Sequence, residues 1–150
     1  LSLIRGMRTD ISLNGCCIEL PREESELKPG EVVAIRVKGS SKWQVGIIRW
    51  KHTSPSLTAR CGIQFPSRFC AAAAIQSGPS DAQGQQHFVH GILLSKKKDM
   101  SDQLSLLCPP LRYHKGSKIR LLSTHKKMRV ILGEELDSTE HLTHFKITPC

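Results

Sequence analysis

The sequence predicts an all-β protein built from two small barrels joined by a linker. Val, Ile and Leu recur in short runs with period-two alternation, which is typical of half-buried strands. Turn residues separate these runs at intervals of about 8–12 residues, as in sandwiches and barrels. The segment Gln76–Gln86 is rich in Gly, Ser, Gln and Pro, the composition of a flexible linker. We therefore predict domains at residues 1–75 and 87–150, with a linker at residues 76–86.

The first domain contains five candidate strands, each bounded by turn residues. They are Leu1–Ser12, Cys16–Leu20, Glu31–Lys38, Trp43–Lys51 and Thr58–Phe65. Four consecutive alanines within Pro66–Ile75 favour a short helix, because Ala has the highest helix propensity. Ser67 is a suitable residue to cap that helix.

The second domain contains five further candidate strands, which suit a small closed barrel. They are His87–Leu94, Gln103–Cys108, Lys118–Ser123, Lys127–Leu132 and His141–Thr148. Two basic clusters lie among them. Lys96–Lys98 is most simply a solvated loop, and Lys126, Lys127 and Arg129 follow a hairpin-like turn; an acidic or phosphate partner is the alternative for both.

The charge favours an anionic partner and limits its class. The chain of 150 residues carries 22 Lys and Arg against 13 Asp and Glu, a formal net charge of +9. A dispersed positive charge attracts phosphates, nucleotides or nucleic acids. The two Trp, one Tyr and four Phe are few and scattered, whereas single-strand binders combine basic grooves with exposed aromatic residues. A nucleic-acid-binding pair of barrels is therefore the less favoured alternative.

Several other classes are excluded by missing motifs. No apolar stretch approaches the roughly 18–20 residues of a membrane-spanning helix, and no secretory signal is recognisable. The six cysteines form no C-x-x-C motif, so we expect reduced thiols in a cytoplasmic protein without a metal site or cofactor. No P-loop, G-x-G-x-x-G motif or hydrolase-like spacing is present, which argues against an enzyme.

The hexapeptide from Asp10 to Gly15 is the segment that points to a ligand. Asp10 and Ser12 are two residues apart on a strand, so they face the same way, and Arg8 falls in the same register. A carboxylate accepts N–H groups from the amino edge of guanine, and Arg binds phosphate or stacks on a base. Glycine permits a close approach of ligand or backbone. The same residues also suit an ordinary hairpin turn, with Asp10 and Ser12 bonded to nearby backbone.

Three motifs in order resemble the PilZ domain, the bacterial receptor module for cyclic di-GMP. They are DISLNG, VGIIRW and GIQF, at residues 10–15, 45–50 and 62–65. The resemblance covers roughly residues 1–70. It implies a six-stranded β-barrel with a helix near its C-terminal end, and cyclic di-GMP as the ligand of Asp10, Ser12 and Gly15.

The family also uses an R-x-x-x-R segment that clamps the phosphates of the ligand. That segment would precede Leu1, and Arg5 and Arg8 are candidates to assist ligand binding. Arg49 and Trp50 are consecutive and so are expected on opposite faces of their strand. Of Trp43 and Trp50, we expect one to pack in the barrel and one to be partly exposed. The Cys16–Cys17 pair is likewise expected to place one thiol inside and one outside.

The resemblance implies a receptor that signals to a partner protein through nucleotide-dependent domain rearrangement. The first alternative is a PilZ-like adaptor that does not bind nucleotide and acts by protein–protein contact. The second alternative is the basic nucleic-acid-binding barrel considered above.

Overall fold

The computed structural model describes residues 6–12, 14–21, 26–55, 58–76, 87–110, 112–124 and 126–150. They fall into two compact units, Leu1–Ser67 and Arg68–Cys150. The strands of the first unit are β1 (Met7–Ser12), β2 (Gly15–Pro21), β3 (Val32–Arg36), β4 (Trp43–Thr53) and β5 (Thr58–Gln64). Those of the second are β6 (Phe69–Gln76), β7 (Phe88–Ser95), β8 (Ser105–Cys108), β9 (Lys118–Ser123), β10 (Lys127–Ser138) and β11 (Thr143–Pro149). The all-β fold class is thereby confirmed.

In the described residues the first unit is an antiparallel five-stranded sheet in the order β1-β2-β5-β4-β3, whereas the resemblance implied a six-stranded barrel. Apolar side chains alternate along its strands, so one face of the sheet becomes a core around Leu20, Ile48, Cys61 and Ile63. We call this the core face and the opposite one the outer face. A turn at Lys28–Glu31 leads into β3, and Gly30 there has a φ of 91°, a conformation that glycine adopts without steric cost.

The second unit is a closed six-stranded barrel in the order β10-β11-β8-β7-β6-β9. Its core consists of inward-facing side chains that are almost completely buried. The largest of them are Ile75, Leu93, Leu106, Leu121, Leu132 and Phe145. The five strands predicted for this region are all present, and a sixth strand, β6, comes from the segment before them.

The predicted helix in Pro66–Ile75 is wrong, because residues Phe69–Gln76 form β6. This strand pairs with β7 on one side and β9 on the other. Ala73 and Ile75 point into the barrel with period two and are buried. Helix propensity is a weak preference that tertiary context overrides, and burial in the barrel decides here. No helix is found among the described residues.

The structure divides the chain between Ser67 and Arg68, whereas the sequence favoured residues 76–86. Because Gln76 pairs with Phe88, the intervening chain connects two adjacent antiparallel strands of one barrel. Residues 77–86 themselves lie outside the described residues. A long hairpin connection and an interdomain linker share the same polar composition, so composition does not distinguish them. In the described part of the chain, no helix is long and apolar enough to cross a membrane.

Candidate ligand-binding site

The strand register brings residues from all three sequence motifs into one row on the outer face. Asp10 of β1 pairs with Cys17 of β2, Cys17 pairs with Gly62 of β5, and Gly62 pairs with Trp50 of β4. Directly paired residues on antiparallel strands project from the same face. Asp10 and Trp50 therefore lie at the two ends of a four-strand row.

Ser12 lies on the same outer face, in the next row. It pairs with Gly15, which pairs in turn with Gln64 of β5. The expectation that Asp10 and Ser12 share a face is met by this register. Their roles toward a ligand remain predictions.

A β-bulge in β1 separates Arg8 from Asp10. Arg8 pairs with Ile18 whereas Asp10 pairs with Cys17, so one extra residue is inserted between them. Such an insertion changes the face on which the preceding residues project. Arg8 therefore projects from the core face, beside Cys16 and Ile18, and the expectation that it shares a row with Asp10 is wrong. Arg5 lies outside the described residues.

A second bulge, in β4, brings Arg49 and Trp50 onto the same face. Ile48 pairs with Ile63 and Trp50 pairs with Gly62, which leaves Arg49 as the extra residue. The Arg49 Nε–H donates to Gln64 Oε1 at 2.6 Å, and Gln64 projects from the outer face two residues after Gly62. Arg49 and Trp50 are thus on one face, and the expectation of opposite faces is wrong.

Gly62 allows the indole of Trp50 to lie flat on the sheet. A Cβ atom built on Gly62 would overlap the indole ring at Nε1, Cε2 and Cδ1. Any side chain at this position would push the ring away. Trp50 consequently keeps one ring face against the backbone of β5 and retains an exposed fraction of 47%. Gly62 of the GIQF motif thus allows the Trp50 indole to form a flat aromatic surface on the sheet.

Gly15 is required by a close approach of protein backbone. A Cβ on Gly15 would lie 2.5 Å from the carbonyl oxygen of Ile63, so the two strands can pair this closely only with glycine here. The adjoining turn is fixed by the Phe65 N–H, which donates to the carbonyl oxygen of Asn14 at 2.8 Å. The close pairing of the two strands therefore requires Gly15 of the DISLNG motif, independently of any ligand.

Two polar side chains of the DISLNG motif, those of Asp10 and Ser12, each make one local contact. The Ile11 N–H donates to Asp10 Oδ1 at 2.8 Å, and Ser12 Oγ donates to the Gly15 carbonyl oxygen at 3.3 Å. Both side chains are exposed. Within the described residues Asp10 Oδ2 has no hydrogen-bond partner, so the carboxylate presents a free oxygen to solvent beside the row.

These residues line one shallow groove of about 330 Å³ on the outer face. That volume is at the lower end of the roughly 300–1,000 Å³ of small-molecule sites. The groove offers an acceptor, a hydroxyl, a cation and an aromatic plane. Its lining residues from β1 and β2 are Asp10, Ile11, Ser12, Asn14, Gly15, Cys16 and Cys17, and those from β4 and β5 are Arg49, Trp50, Gly62, Ile63 and Gln64.

Sequence reasoning missed the contribution of Arg49, Trp50 and Gln64 to this groove. A bulge has no unique sequence signal, and strict alternation placed Arg49 and Trp50 apart. The usable signal was the glycine of GIQF, since glycine within a strand often marks a bulge or a close approach. Trp43, the other tryptophan of β4, lies outside the groove and is also exposed, at 44%. The expectation that one of the two tryptophans packs inside is therefore wrong.

The six cysteines all lie in the described part of the chain and form no disulfide. Burial raises the pKa of Cys16, and the nearby charge of Arg8 only partly opposes this. Burial also raises the pKa of Cys61, and that of Cys108 to about 11. Reactive cysteines require a lowered pKa. In the described ranges, no cluster of His, Cys, Asp and Glu is arranged to hold a metal ion.

The groove-bearing sheet of the first unit corresponds to a PilZ domain that is followed by a closed β-barrel, and family comparison supports both parts. Residues 4–71 match the family model described as the cyclic-di-GMP receptor FimW, middle PilZ domain. Residues 70–150 match the FimW C-terminal beta-barrel domain. The chain therefore belongs to the FimW family, and the resemblance to the PilZ domain is confirmed.

A relative shows the same relationship along most of the chain. The cyclic-di-GMP receptor FimW of Pseudomonas aeruginosa strain PAO1 is 21% identical over 136 residues. The alignment covers 90% of this chain and 22% of the relative, so the chain spans about a fifth of that protein's length. No solved structure matches the chain.

Proposed function

We propose that the groove on the outer face of the first unit binds cyclic di-GMP. The observation that carries the proposal is the convergence of DISLNG, VGIIRW and GIQF on one groove. Membership of a family described as a cyclic-di-GMP receptor supports the choice of ligand. The proposed role is that of a binding and signalling module, without catalysis.

Asp10 and Ser12 provide the recognition of guanine in this proposal. The guanine amino edge carries N–H donors, and the Asp10 carboxylate is an acceptor with an oxygen turned to solvent. A hydrogen bond to a charged group contributes about 1.5–3 kcal/mol. Adenine does not present the same pair of donors, so cyclic di-AMP should bind far more weakly.

Trp50 and Arg49 provide a stacking surface and a cation in this proposal. Stacking of a base on an aromatic side chain contributes roughly 1–3 kcal/mol. Arg49 is oriented by its hydrogen bond to Gln64, and a phosphate or a base plane suits its planar guanidinium. The row from Asp10 to Trp50 spans three strand spacings of about 4.8 Å, a width that suits a ligand with two bases.

Arg5, Arg8 and an arginine segment N-terminal to Leu1 remain predictions as ligand-binding residues. Arg8 projects from the other face of the edge strand β1, so its predicted contact with the ligand would lie outside the groove. Two charge-assisted contacts to phosphate are worth about 3–6 kcal/mol, or two to four orders of magnitude in affinity at about 1.4 kcal/mol per decade. We propose weak binding by this chain and tight binding by a longer chain with an arginine segment.

We further propose that nucleotide binding is passed to a partner protein through a change in domain arrangement. A ligand shifts such an equilibrium only by its difference in affinity for the two states. The alternative, an adaptor that acts without nucleotide, predicts partner binding that is unaffected by cyclic di-GMP.

Calorimetric titration tests the proposal directly. We expect cyclic di-GMP to bind the chain, cyclic di-AMP to bind at least tenfold more weakly, and Asp10→Asn to remove most of that preference. A version extended N-terminally by an R-x-x-x-R segment should bind more tightly. Equal affinities with and without the extension would refute the arginine contribution. Absence of binding by both versions would favour the adaptor.

A further inference from the structure

The second unit carries a basic face on strands β9 and β10 that the proposed nucleotide site does not use. Ile119, Leu121 and Val130 of these strands are buried in the barrel. The alternating side chains therefore project outward. Four of them are exposed cations, which we call the basic face: Lys118, Arg120, Lys127 and Arg129.

The centre of the basic face is a pair of like charges. Arg120 and Arg129 are direct cross-strand partners, with Cβ atoms expected about 4.5–5.5 Å apart. Like charges in this position are unfavourable for the sheet. The other outward residues of this pairing are Leu122 and Ile131, so the ladder itself provides no carboxylate. An anion between the two guanidinium groups would turn the repulsion into attraction.

A basic loop extends this surface at one end. Asp99, in the loop that follows β7, has its pKa lowered by hydrogen bonds from Ser101 and by the charges of Lys97 and Lys126. Lys126 precedes β10 directly, so the two basic clusters recognised in the sequence lie near each other. Lys97 of one cluster and Lys126 of the other therefore both lie close to the Asp99 carboxylate.

Apolar residues accompany the cations on the same face. The register Phe88–Gln76–Arg120–Arg129 forms one row across four strands. Phe88 is 47% exposed, and Leu122 and Ile131 are half-buried. Arg and Phe are enriched in protein interfaces, whereas single-strand nucleic-acid sites need several stacking aromatic residues. The combination favours a protein partner.

We propose that the basic face binds an acidic segment of a partner protein. Lys118 and Arg120, like Lys127 and Arg129, are two residues apart on a strand, a spacing of about 6.8 Å. Alternate carboxylates of an extended acidic segment have that same spacing. Such a segment can place one carboxylate between Arg120 and Arg129 and the next ones beside Lys118 and Lys127. Phe88, Leu122 and Ile131 supply apolar contact around this charged centre.

Fluorescence anisotropy with a labelled peptide of alternating Glu and Thr tests the proposal. We expect the 150-residue chain to bind it at low salt, and the variant Arg120→Gln/Arg129→Gln to bind roughly tenfold or more weakly. The matched control is Arg112→Gln/Lys115→Gln, which removes the same charge from exposed residues outside the face and should change binding little. Thermal melting checks folding, and removal of the Arg120–Arg129 repulsion should leave the midpoint unchanged or raise it.

Three results would overturn the proposal. One is an equal loss of affinity in the control variant, which would reduce the effect to net charge. Another is tighter binding to a single-stranded oligonucleotide or to vesicles containing phosphatidylserine than to the peptide. The third is binding of an uncharged Gln–Thr peptide as tightly as the acidic one. If the double variant failed to fold, the single variants Arg120→Gln and Arg129→Gln would carry the same comparison.

Discussion

Strand β4 contributes to two pairs of an arginine with a tryptophan, which differ in arrangement. At its N-terminal end, Trp43 pairs directly with Arg36 of β3, and the guanidinium lies 4.9 Å from the centre of the indole ring. Within the strand, Arg49 and Trp50 are consecutive, and a bulge places both on the outer face. Arg49 is held by Gln64, and Trp50 lies on Gly62.

The difference shows what a bulge adds to a regular strand pair. In the regular pair, the arginine covers one face of the tryptophan ring, so the two side chains satisfy each other. In the bulged pair, other residues hold the two groups side by side, and both are presented to solvent next to Asp10. We therefore expect the Arg49–Trp50 pair to bind ligand and the Arg36–Trp43 pair to contribute only to stability.

Replacement of the two tryptophans gives the largest expected contrast. Trp50→Ala should weaken cyclic di-GMP binding by roughly 5–150-fold, the equivalent of about 1–3 kcal/mol of stacking. Trp43→Ala should leave the affinity unchanged and lower stability by about 0.5–1 kcal/mol, the value of an exposed cation–π contact. Calorimetric titration and thermal melting measure the two effects. Equal losses of affinity in Trp50→Ala and Trp43→Ala would show that the two arginine–tryptophan pairs do not differ in ligand binding.

The Gly62→Ala variant tests the contrast between the two tryptophans further, because it displaces the Trp50 ring without removing it. The added methyl group overlaps the indole position, so the ring must leave the sheet. We expect an affinity loss that approaches the loss in Trp50→Ala, together with a red shift of tryptophan emission in a Trp43→Phe background. In a Trp50→Ala background, Gly62→Ala should have no further effect on affinity. An additive loss would show that Gly62 acts independently of Trp50.

The two arginines give a smaller expected contrast. Arg49→Gln should weaken cyclic di-GMP binding by roughly 5–10-fold, because one charge-assisted contact at an exposed site is worth about 1 kcal/mol or somewhat more. Arg36→Gln removes the same charge from the same sheet and should leave the affinity unchanged. If both variants lost affinity equally, long-range attraction by net charge would explain the result, and raised salt would abolish it.

Gln64→Ala should have the smallest effect, because it removes only the orientation of Arg49. We expect an affinity loss of roughly two- to fivefold, consistent with a side-chain hydrogen bond worth about 0.5–1 kcal/mol. In an Arg49→Gln background the same substitution should do nothing. A larger loss than in Arg49→Gln would indicate that Gln64 itself contacts the ligand.

The fold was largely predictable because alternation of apolar residues survives in most strands. All ten strands expected from the sequence are found among the eleven strands of the described residues. The eleventh strand, β6, was not predicted, because its four alanines show no alternation of polarity and have a high helix propensity. Its role depends on β9, which lies more than forty residues along the chain: Gln76 pairs with Arg120. No local sequence pattern indicates a strand pairing over such a distance along the chain.

The candidate site was predictable only where the strand is regular. Asp10 and Ser12 share a face, as period-two alternation requires. Arg8 and the Arg49–Trp50 pair were misplaced for one reason, since each lies beside a bulge that shifts the alternation by one residue. A bulge depends on what the neighbouring strand offers, and here that includes the bare backbone of Gly62. The sequence therefore identified the motifs that supply the groove, but of their side chains it placed only Asp10 and Ser12 on a common face correctly.

The strand order of the second unit has a consequence for folding during synthesis. Without β11, the remaining strands form an open sheet, β10-β9-β6-β7-β8, with β8 and β10 at its edges. The last strand inserts between those edges and brings Phe145 and Ile147 into the core. Until it emerges, the nascent barrel exposes two unpaired edges and an unfilled interior, the features that promote aggregation. The strands of the first unit are complete at Gln64, so that unit can fold well before the barrel closes.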